Sequence, residues 1–514
     1  MNRRRFLQAG AAGMSSLTMP GFLSGCKHQL PQAVAANAPL PDNPFHDWFG
    51  VDAQVLRAVF QELSAHGADF ADAYFQHKRA ISVSMEDGLI SRASTNIDQG
   101  VGLRVVTGDQ TGYAFTEELT LDAMLEAART AASIAAGQPI TGPEQFSFPE
   151  VRGRALYALS VPWSQVGIDK KLPMIETLEQ MARGQDPAVT KVSVRWTDEE
   201  ERILVATLDG MLFTDVRPMS RLWCTVTAEK NGNVVTNSAN LAGRRGLDYY
   251  THERLQELAN KAVERTIRLF DARRPPAGEM PVVLAAGASG ILLHEAVGHG
   301  LEADFNRKGV SIYSDMIGKQ VAPDFVTVVD SGDEPNERGS LSFDDEGQAA
   351  GHTTLIENGR LVSYMHDQIS AKHYGVQPTG SGRRQSFRHV PMPRMRCTYM
   401  ENGPHTREEI IAAVDKGIIA ETFTNGQVQI GAGDFTFYIK NGWLIEGGKV
   451  TAPIKDVNII GNGPQALRDV TMAAADFSLD TGGWTCGKDG QGVPVSQGLP
   501  TVLVSKMTVG GVNG

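Results

Sequence analysis

Two turns recur at a fixed interval in the first half of this 514-residue chain. Asp87-Gly88 and the turn around Gly108-Asp109-Gln110 return as Asp209-Gly210 and Asn231-Gly232, each about 122 residues later. Asx-Gly pairs between alternating apolar runs favour the positive φ angles of tight hairpins. The flanks recur too. Val55, Val59 and Leu63 mark one face of a helix ending near His66-Gly67, and Leu121, Leu125, Ala128 and Ala132 mark a second. Later, a helix near Leu172 to Met181 stops at Gly184, and Leu255, Leu258, Ala262 and Leu269 face the helix that follows the strands. The pattern predicts two similar helix-plus-β-meander halves forming one N-terminal α+β domain.

Arg273-Arg274-Pro275-Pro276-Ala277-Gly278 breaks the last of these helices and marks a domain boundary. Beyond it the chain reads as mainly antiparallel β-sheet. Pro281 to Ala285 is a short apolar strand leading through Gly287-Ala288-Ser289-Gly290 into a helix, and Phe325 to Val329 reads as a buried strand. Hairpins are predicted around Asn358-Gly359 and, within Gln427 to Leu444, around Asn441-Gly442. A capping box at Thr406 and Glu409 opens a helix for which Gly417 is the expected stop. The fold class is α+β, with an N-terminal domain over 45–275 and a C-terminal β-rich domain over 276–514.

The first residues are an address. Asn2-Arg3-Arg4-Arg5-Phe6-Leu7-Gln8 resembles a twin-arginine export signal, and Leu23-Ser24-Gly25-Cys26 resembles a lipobox that would place a lipid on Cys26. Residues 1–26 are therefore read as signal and 27–44 as tether, giving an exported, lipid-anchored protein on the periplasmic or cell-envelope side. Nothing later reaches the roughly 18 apolar residues of a membrane span, so contact with the membrane is expected only through the lipid. A net charge of -11, with no basic stripe carrying aromatics, argues against nucleic acid as a partner. Besides Cys26 there are Cys224, Cys397 and Cys486. Three is odd, so at least one lies outside any intramolecular disulfide.

The densest chemistry lies in His294-Glu295-Ala296-Val297-Gly298-His299. Hydrolytic zinc sites use neutral imidazoles as ligands, keep one position open and set a Glu beside the attacking water. Helical versions space the histidines four apart. Here the interval is five, and on a regular helix such positions diverge by about 140°. A single π-type bulge would bring them together, and Gly298 and Gly300 make this helix end deformable. A third ligand is wanted. Glu302 and Asp304 are near in sequence, while His373, His389 and Cys486 are distant candidates, and the residues alone do not choose among them. Ser289 lacks the Gly-x-Ser-x-Gly elbow of a serine hydrolase.

The segment His294 to Phe305 (HEAVGHGLEADF) resembles the metal motif of the TldD/PmbA metalloprotease family, on the TldD side. Further motifs follow in family order: Phe343 to Gly347, Gly382-Arg383-Arg384 with Pro391 to Met395, Gly431 to Phe437 with Gly447, and Cys486 to Gln491. The likeness spans about Val51 to the end. It implies His294, His299 and Cys486 as ligands of one divalent metal, most simply Zn2+, with Glu295 as general base. Arg383, Arg384 and His389 are candidates for holding the oxyanion, and Glu302 and Asp304 for orienting the imidazoles. The implied activity is hydrolysis of extended or unfolded peptides, which could add as a strand to an exposed sheet edge near Gly431, Gly433, Gly447 and Gly448. The implied assembly is a homodimer or a heterodimer with a PmbA/TldE-like chain. The alternative is a non-catalytic subunit or peptide-binding scaffold in which the metal is structural. The export signal departs from the cytoplasmic pattern of the family.

Overall fold

The computed structural model describes residues 43–134, 138–148 and 156–511. The signal at 1–26 with its lipobox Cys26, and the tether as far as residue 42, lie outside the described residues. Helix α1 (Pro44–Phe49) and helix α2 (Ala53–Leu63) start on Asn43 and Asp52, whose side chains accept hydrogen bonds from first-turn N–H groups. Strands β1 (Phe70–Glu86), β2 (Leu89–Thr107) and β3 (Gln110–Thr116) form a meander, followed by α3 (Leu121–Ala132). The order then repeats: α4 (Ile168–Arg183), β4 (Val189–Thr207), β5 (Leu212–Lys230), β6 (Asn233–Gly243) and α5 (His252–Ile267).

The recurrent turns lie at the hairpins, with Asp87, Gly88, Gly108, Gly210, Asn231 and Gly232 at φ angles between 49° and 82°. β1 pairs antiparallel with β4 from Asp72↔Thr207 to Glu86↔Ser193, so the two meanders fuse into one six-stranded sheet of order β3-β2-β1-β4-β5-β6. One face is covered by α2 and α3 over the first half and by α4 and α5 over the second. Helix α3 is rotated from the sequence expectation. It buries Met124, Ala127, Ala128, Ala131 and Ala132, while Leu121 is 41% exposed. The small side chains let it lie close to β3, where a Cβ on Gly112 would come within 2.0 Å of the Ala131 carbonyl oxygen.

In the C-terminal region, Gly278–Leu284 pairs on one side with Lys416–Gln429 and on the other with Val502–Gly510. Val502–Gly510 continues to Val457–Asn462, then Asp434–Glu446, which pairs back onto Lys416–Gln429 and closes a five-stranded ring. A second, six-stranded sheet is centred on Val328–Ser331 and Cys397–Met400. The chain from Ile291 to Leu301 packs into the large core they share. No described helix is long and apolar enough to cross a membrane.

Three local expectations are corrected. Asn441-Gly442 lies inside Asp434–Glu446; the reversal falls at residues 430–433, where Gly433 has φ 77°. Gly442 is there for space, since a Cβ would meet the Ile419 carbonyl oxygen at 2.3 Å. The capping box forms as read, but its helix (Arg407–Ala412) ends before Gly417, which lies in a strand against Pro281. The strand expected at Phe325 to Val329 is displaced to Val328–Ser331.

The uncovered face of the N-terminal sheet meets the C-terminal region through Tyr74, Ile203, Val205, Phe343 and Phe387. Beside this apolar contact sits a buried charge clamp. Arg104 bridges Asp72 at 2.6 Å and Glu346 at 2.8 Å, Arg384 reaches Asp72 at 2.8 Å, and Arg217 reaches Asp345 at 2.6 Å. Thus the motif Phe343 to Gly347 joins the two parts of the chain. Removing one member of a buried pair leaves the other charge uncompensated. Arg104→Met is therefore expected to lower unfolding stability by about 3–5 kcal/mol, read as a lower denaturation midpoint in urea.

Candidate metal centre

The element bearing His294 is a composite helix. A tight turn over Ala288–Gly290 is followed by Ile291–Leu293, then a wide turn over His294–Gly298 in which the His299 N–H donates to the His294 carbonyl five residues back. That is the π-type bond pattern, and it brings positions five apart onto one face. The glycines here serve chiefly for close approach. A Cβ on Gly298 would meet the Met395 sulfur at 2.1 Å, and one on Gly300 would meet the Tyr313 ring at 2.6 Å. Gly463 presses on the wide turn itself, at 2.0 Å from the Ala296 carbonyl oxygen for an added Cβ. At Glu302 the backbone becomes extended, and a fresh helix runs over Ala303–Arg307.

The third arm comes from the other end of the chain. Strands Thr485–Lys488 and Gln491–Pro494 form a hairpin around Asp489-Gly490 that delivers Cys486. Donor atoms of His294, His299 and Cys486 all lie within 4.8 Å of one another, and all three residues are buried. Cys486 Sγ is 3.4 Å from His299 Nε2, and the two imidazole planes stand at 83°. Among the described residues no disulfide involves Cys486, Cys224 or Cys397. Burial pushes the thiols of Cys224 and Cys397 up to about 12. Burial acts on Cys486 in the same sense, but His294 and His299 outweigh it and hold this thiol well below its usual range.

A chain of charges supports His299 from behind. Its Nδ1 lies 2.9 Å from Glu302 Oε2, and Glu302 is 3.1 Å from Lys488 Nζ. Lys488 also reaches Asp304 at 2.7 Å and the Pro393 carbonyl at 3.0 Å. Burial opposes ionisation of Glu302, yet Lys488 and His299 together draw its carboxyl down to about 2. For His299, burial opposes the charged form, while Glu302 and Cys486 outweigh burial and hold the imidazole well above the usual histidine range. The site thus calls for positive charge among its three donors. A proton meets that demand in part, and a dication shared by two imidazoles and a thiolate meets it more fully. The buried His294 Nδ1 makes no hydrogen bond among the described residues, which suits a metal donor. The donor set fits a divalent metal.

Glu295 is partly exposed, with Oε2 3.8 Å from His299 Nε2. It lines a cavity of about 470 Å3 together with His294, His299, Cys486, Phe305, Gly426 and Val428. The other residues named from sequence fall elsewhere. Arg383 donates to the Met395 and Pro494 carbonyls, and Arg384 belongs to the interdomain clamp; both line a different cavity. His389 bonds Ser386 Oγ and does not line the cavity at His294. None of the three is placed to hold an oxyanion there. Glu302 touches an imidazole directly, at His299 Nδ1, whereas Asp304 reaches His299 only through Lys488 and Glu302. His373 is absent from the cluster. Ser289 is fully buried and donates to the Ala285 carbonyl, so it presents no nucleophile. Lys488 and Arg394, which donates to the Cys486 carbonyl at 2.6 Å, escaped the sequence reading as supports of the site. Their place beside Pro393 and Cys486 in the quoted motifs was the available signal.

Known proteins resemble this chain along most of its length. The PmbA/TldA metallopeptidase C-terminal domain matches residues 277–511, the family's domain 1 matches 71–135 and its central domain matches 161–270. The chain is 40% identical over 468 residues to a Haemophilus influenzae protein named as a metalloprotease TldD homolog, covering 90% of this chain and 97% of that one. It is 28% identical over 458 residues to a Saccharolobus solfataricus protein named as a zinc metalloprotease TldD homolog, covering 87% and 97%. Solved structures share the fold. TldE from Thermococcus kodakarensis has a TM-score of 0.70 at 19% identity, over 89% of this chain and 99% of that one. A Thermotoga maritima protein described as a candidate modulator of a DNA gyrase has a TM-score of 0.71 at 21% identity, over 86% and 96%.

Outer partners of metal-bound histidines commonly contribute 10–100-fold in metal affinity. Glu302→Gln is expected to weaken zinc binding by about that factor, read by competition with a chromophoric chelator. Cys486→Ser is expected to lose stoichiometric metal in elemental analysis, while far-ultraviolet circular dichroism stays native.

Proposed function

The chain belongs to the PmbA/TldD metallopeptidase family, and from that premise and the geometry of its site we propose a zinc-dependent peptidase of the His-Glu-x-x-x-His type acting on extended or unfolded peptides. The observation that carries the reading is the meeting of His294, His299 and Cys486 beside a cavity that also receives the Glu295 carboxylate. Two imidazoles and a thiolate would hold the metal, and the nitrogen and sulfur donors favour zinc. When bound, zinc supplies Lewis acidity, activating the attacking water and polarising the scissile carbonyl. Glu295 accepts a proton from that water on its carboxylate and hands it to the leaving amine. Glu302 holds His299 through Nδ1, which leaves Nε2 facing Cys486 and Glu295.

The wall of the cavity supports an extended substrate. Lys416–Gln429 pairs with Asp434–Glu446 along one edge, but Gly278–Leu284 covers the other edge only at 418–420. At Gly426, Gln427 and Val428, which line the cavity, no described strand lies on that edge. A peptide added there as a strand would be read chiefly through its backbone, giving broad sequence tolerance and excluding folded proteins. Of the glycines first considered for this role, Gly433, Gly447 and Gly448 instead form turns at positive φ. We further assign the chain to a heteromeric pair with a TldE-like partner or to a homodimer, and, on residues 1–26, to the cell envelope through a lipid on Cys26.

The rival reading, a non-catalytic subunit with a structural metal, makes the opposite forecast for one variant. Glu295→Gln is expected to bind metal normally yet lose about 10²–10⁴-fold in turnover of an unfolded casein substrate. Unchanged turnover in that variant, or activity that survives removal of metal by a chelator, would exclude the peptidase.

A further inference from the structure

Another large cavity, of about 420 Å3, lies between the uncovered face of the N-terminal sheet and the C-terminal region. Its walls carry seven cationic side chains and three acidic ones. All three acids are already engaged: Glu199 with Lys78, Asp345 with Arg217, and Glu201 with the Gln76 amide. Four guanidinium groups, on Arg221, Arg244, Arg338 and Arg383, form no ion pair among the described residues. Their contacts are neutral. Arg383 donates to the Met395 and Pro494 carbonyls, Arg338 to the Trp484 carbonyl, Arg221 stacks 4.0 Å from the Trp223 ring centroid, and Arg244 lies over Tyr157. Arg244, Arg338 and Arg383 are each at most 7% exposed, and Nε of Arg221 and of Arg244 has no hydrogen-bond partner among the described residues.

Withdrawing several like charges from water without counter-charges is costly. Burial draws Arg221, Arg338 and Arg383 down to about 10, which still leaves them charged at neutral pH. An anion is what this cavity lacks. Its position says which kind. The Cys486 hairpin is the partition between the two cavities: Thr485 lines both, Gly492 and Pro494 face the arginines, and Cys486 and Val495 face the metal centre. The exposed Thr485 borders both cavities, so a ligand crossing it would reach from one into the other.

We propose that this arginine-lined cavity is a carboxylate subsite of the peptidase, holding either an acidic side chain or the C-terminal carboxylate of a peptide whose scissile bond lies at the metal centre. The inference rests on the peptidase reading and adds a preference to it: backbone contacts accept most sequences, and the guanidinium groups select those carrying a carboxylate at the right distance. Guanidinium forks match carboxylates geometrically.

The test uses three otherwise identical unfolded peptides assayed with the metal-loaded full chain. One is C-terminally amidated with an internal run of Glu, one has Gln in those places and a free C-terminal carboxylate, and one has Gln and an amide. A KM about tenfold lower for a carboxylate-bearing peptide than for the amidated Gln peptide, equivalent to about 1.4 kcal/mol, is expected. Whichever of the two carboxylates gives it identifies the source. In Arg221→Gln that KM ratio should collapse toward one, and in Arg221→Lys, which keeps the charge, it should largely persist. Equal KM for all three peptides, or a ratio untouched by Arg221→Gln, overturns the subsite. If none is cleaved by the chain either alone or with a TldE-like partner added, the peptidase reading has failed by itself. Fluorescence polarisation of the same labelled peptides on the Glu295→Gln chain then decides the subsite separately, equal affinities counting against it.

Discussion

The wide helical turn at His294–Gly298 is the constraint on which the rest of the candidate site depends. A hydrogen bond spanning five residues, in place of the usual four, is intrinsically a poorer arrangement of the helix. Here it is held by packing on several sides. Met395 fills the space a side chain on Gly298 would need, Tyr313 does the same at Gly300, and the backbone at Gly463 lies against Ala296. The turn therefore presents two imidazoles to a point that the Cys486 hairpin reaches from nearly two hundred residues away. A local distortion of this kind is stable only where its surroundings leave no alternative.

Buried charge is organised in two contrasting ways. The clamp of Arg104, Asp72, Glu346 and Arg384 is fully enclosed and paired, and it fastens the N-terminal sheet to the region carrying the site. Behind the metal centre, Glu302, Lys488 and Asp304 likewise pair, which ties the orientation of His299 to the same hairpin that brings Cys486. The arginines across that hairpin differ, since the acids around them are committed elsewhere. Paired charge gives the fold its geometry, and unpaired charge remains free to act on a ligand. The hairpin at 485–494 stands between the two.

Much of this was legible in the residues. The Asx-Gly turns announced the two meanders because tight hairpins demand positive φ, a requirement met locally. The bulge could be anticipated from the five-residue interval alone, because two ligands for one ion have to share a face. Legibility failed where a residue's role depends on a distant neighbour. Asn441-Gly442 has the chemistry of a turn, yet it lies in a strand where the backbone at Ile419 approaches too closely for any side chain. Leu121 fits the apolar stripe of α3, but close packing of small residues on β3 rotated the helix and left it exposed. Arg383 and Arg384 sit in a segment that resembles a family motif, and a motif does not say whether its charges serve chemistry or architecture.

By itself, then, the sequence determined the α+β class, the repeated halves, the capping box and the pair of imidazoles with their carboxylate, all of which follow from signals that are each local in the chain. Only the tertiary structure decided that Cys486 meets those imidazoles, that Lys488 steadies His299 through Glu302, and that four arginines form no ion pair among the described residues. The physical reason is range. Hydrogen bonds of turns and helices join residues a few positions apart, whereas the energy of a buried charge depends on every group the folded chain brings around it.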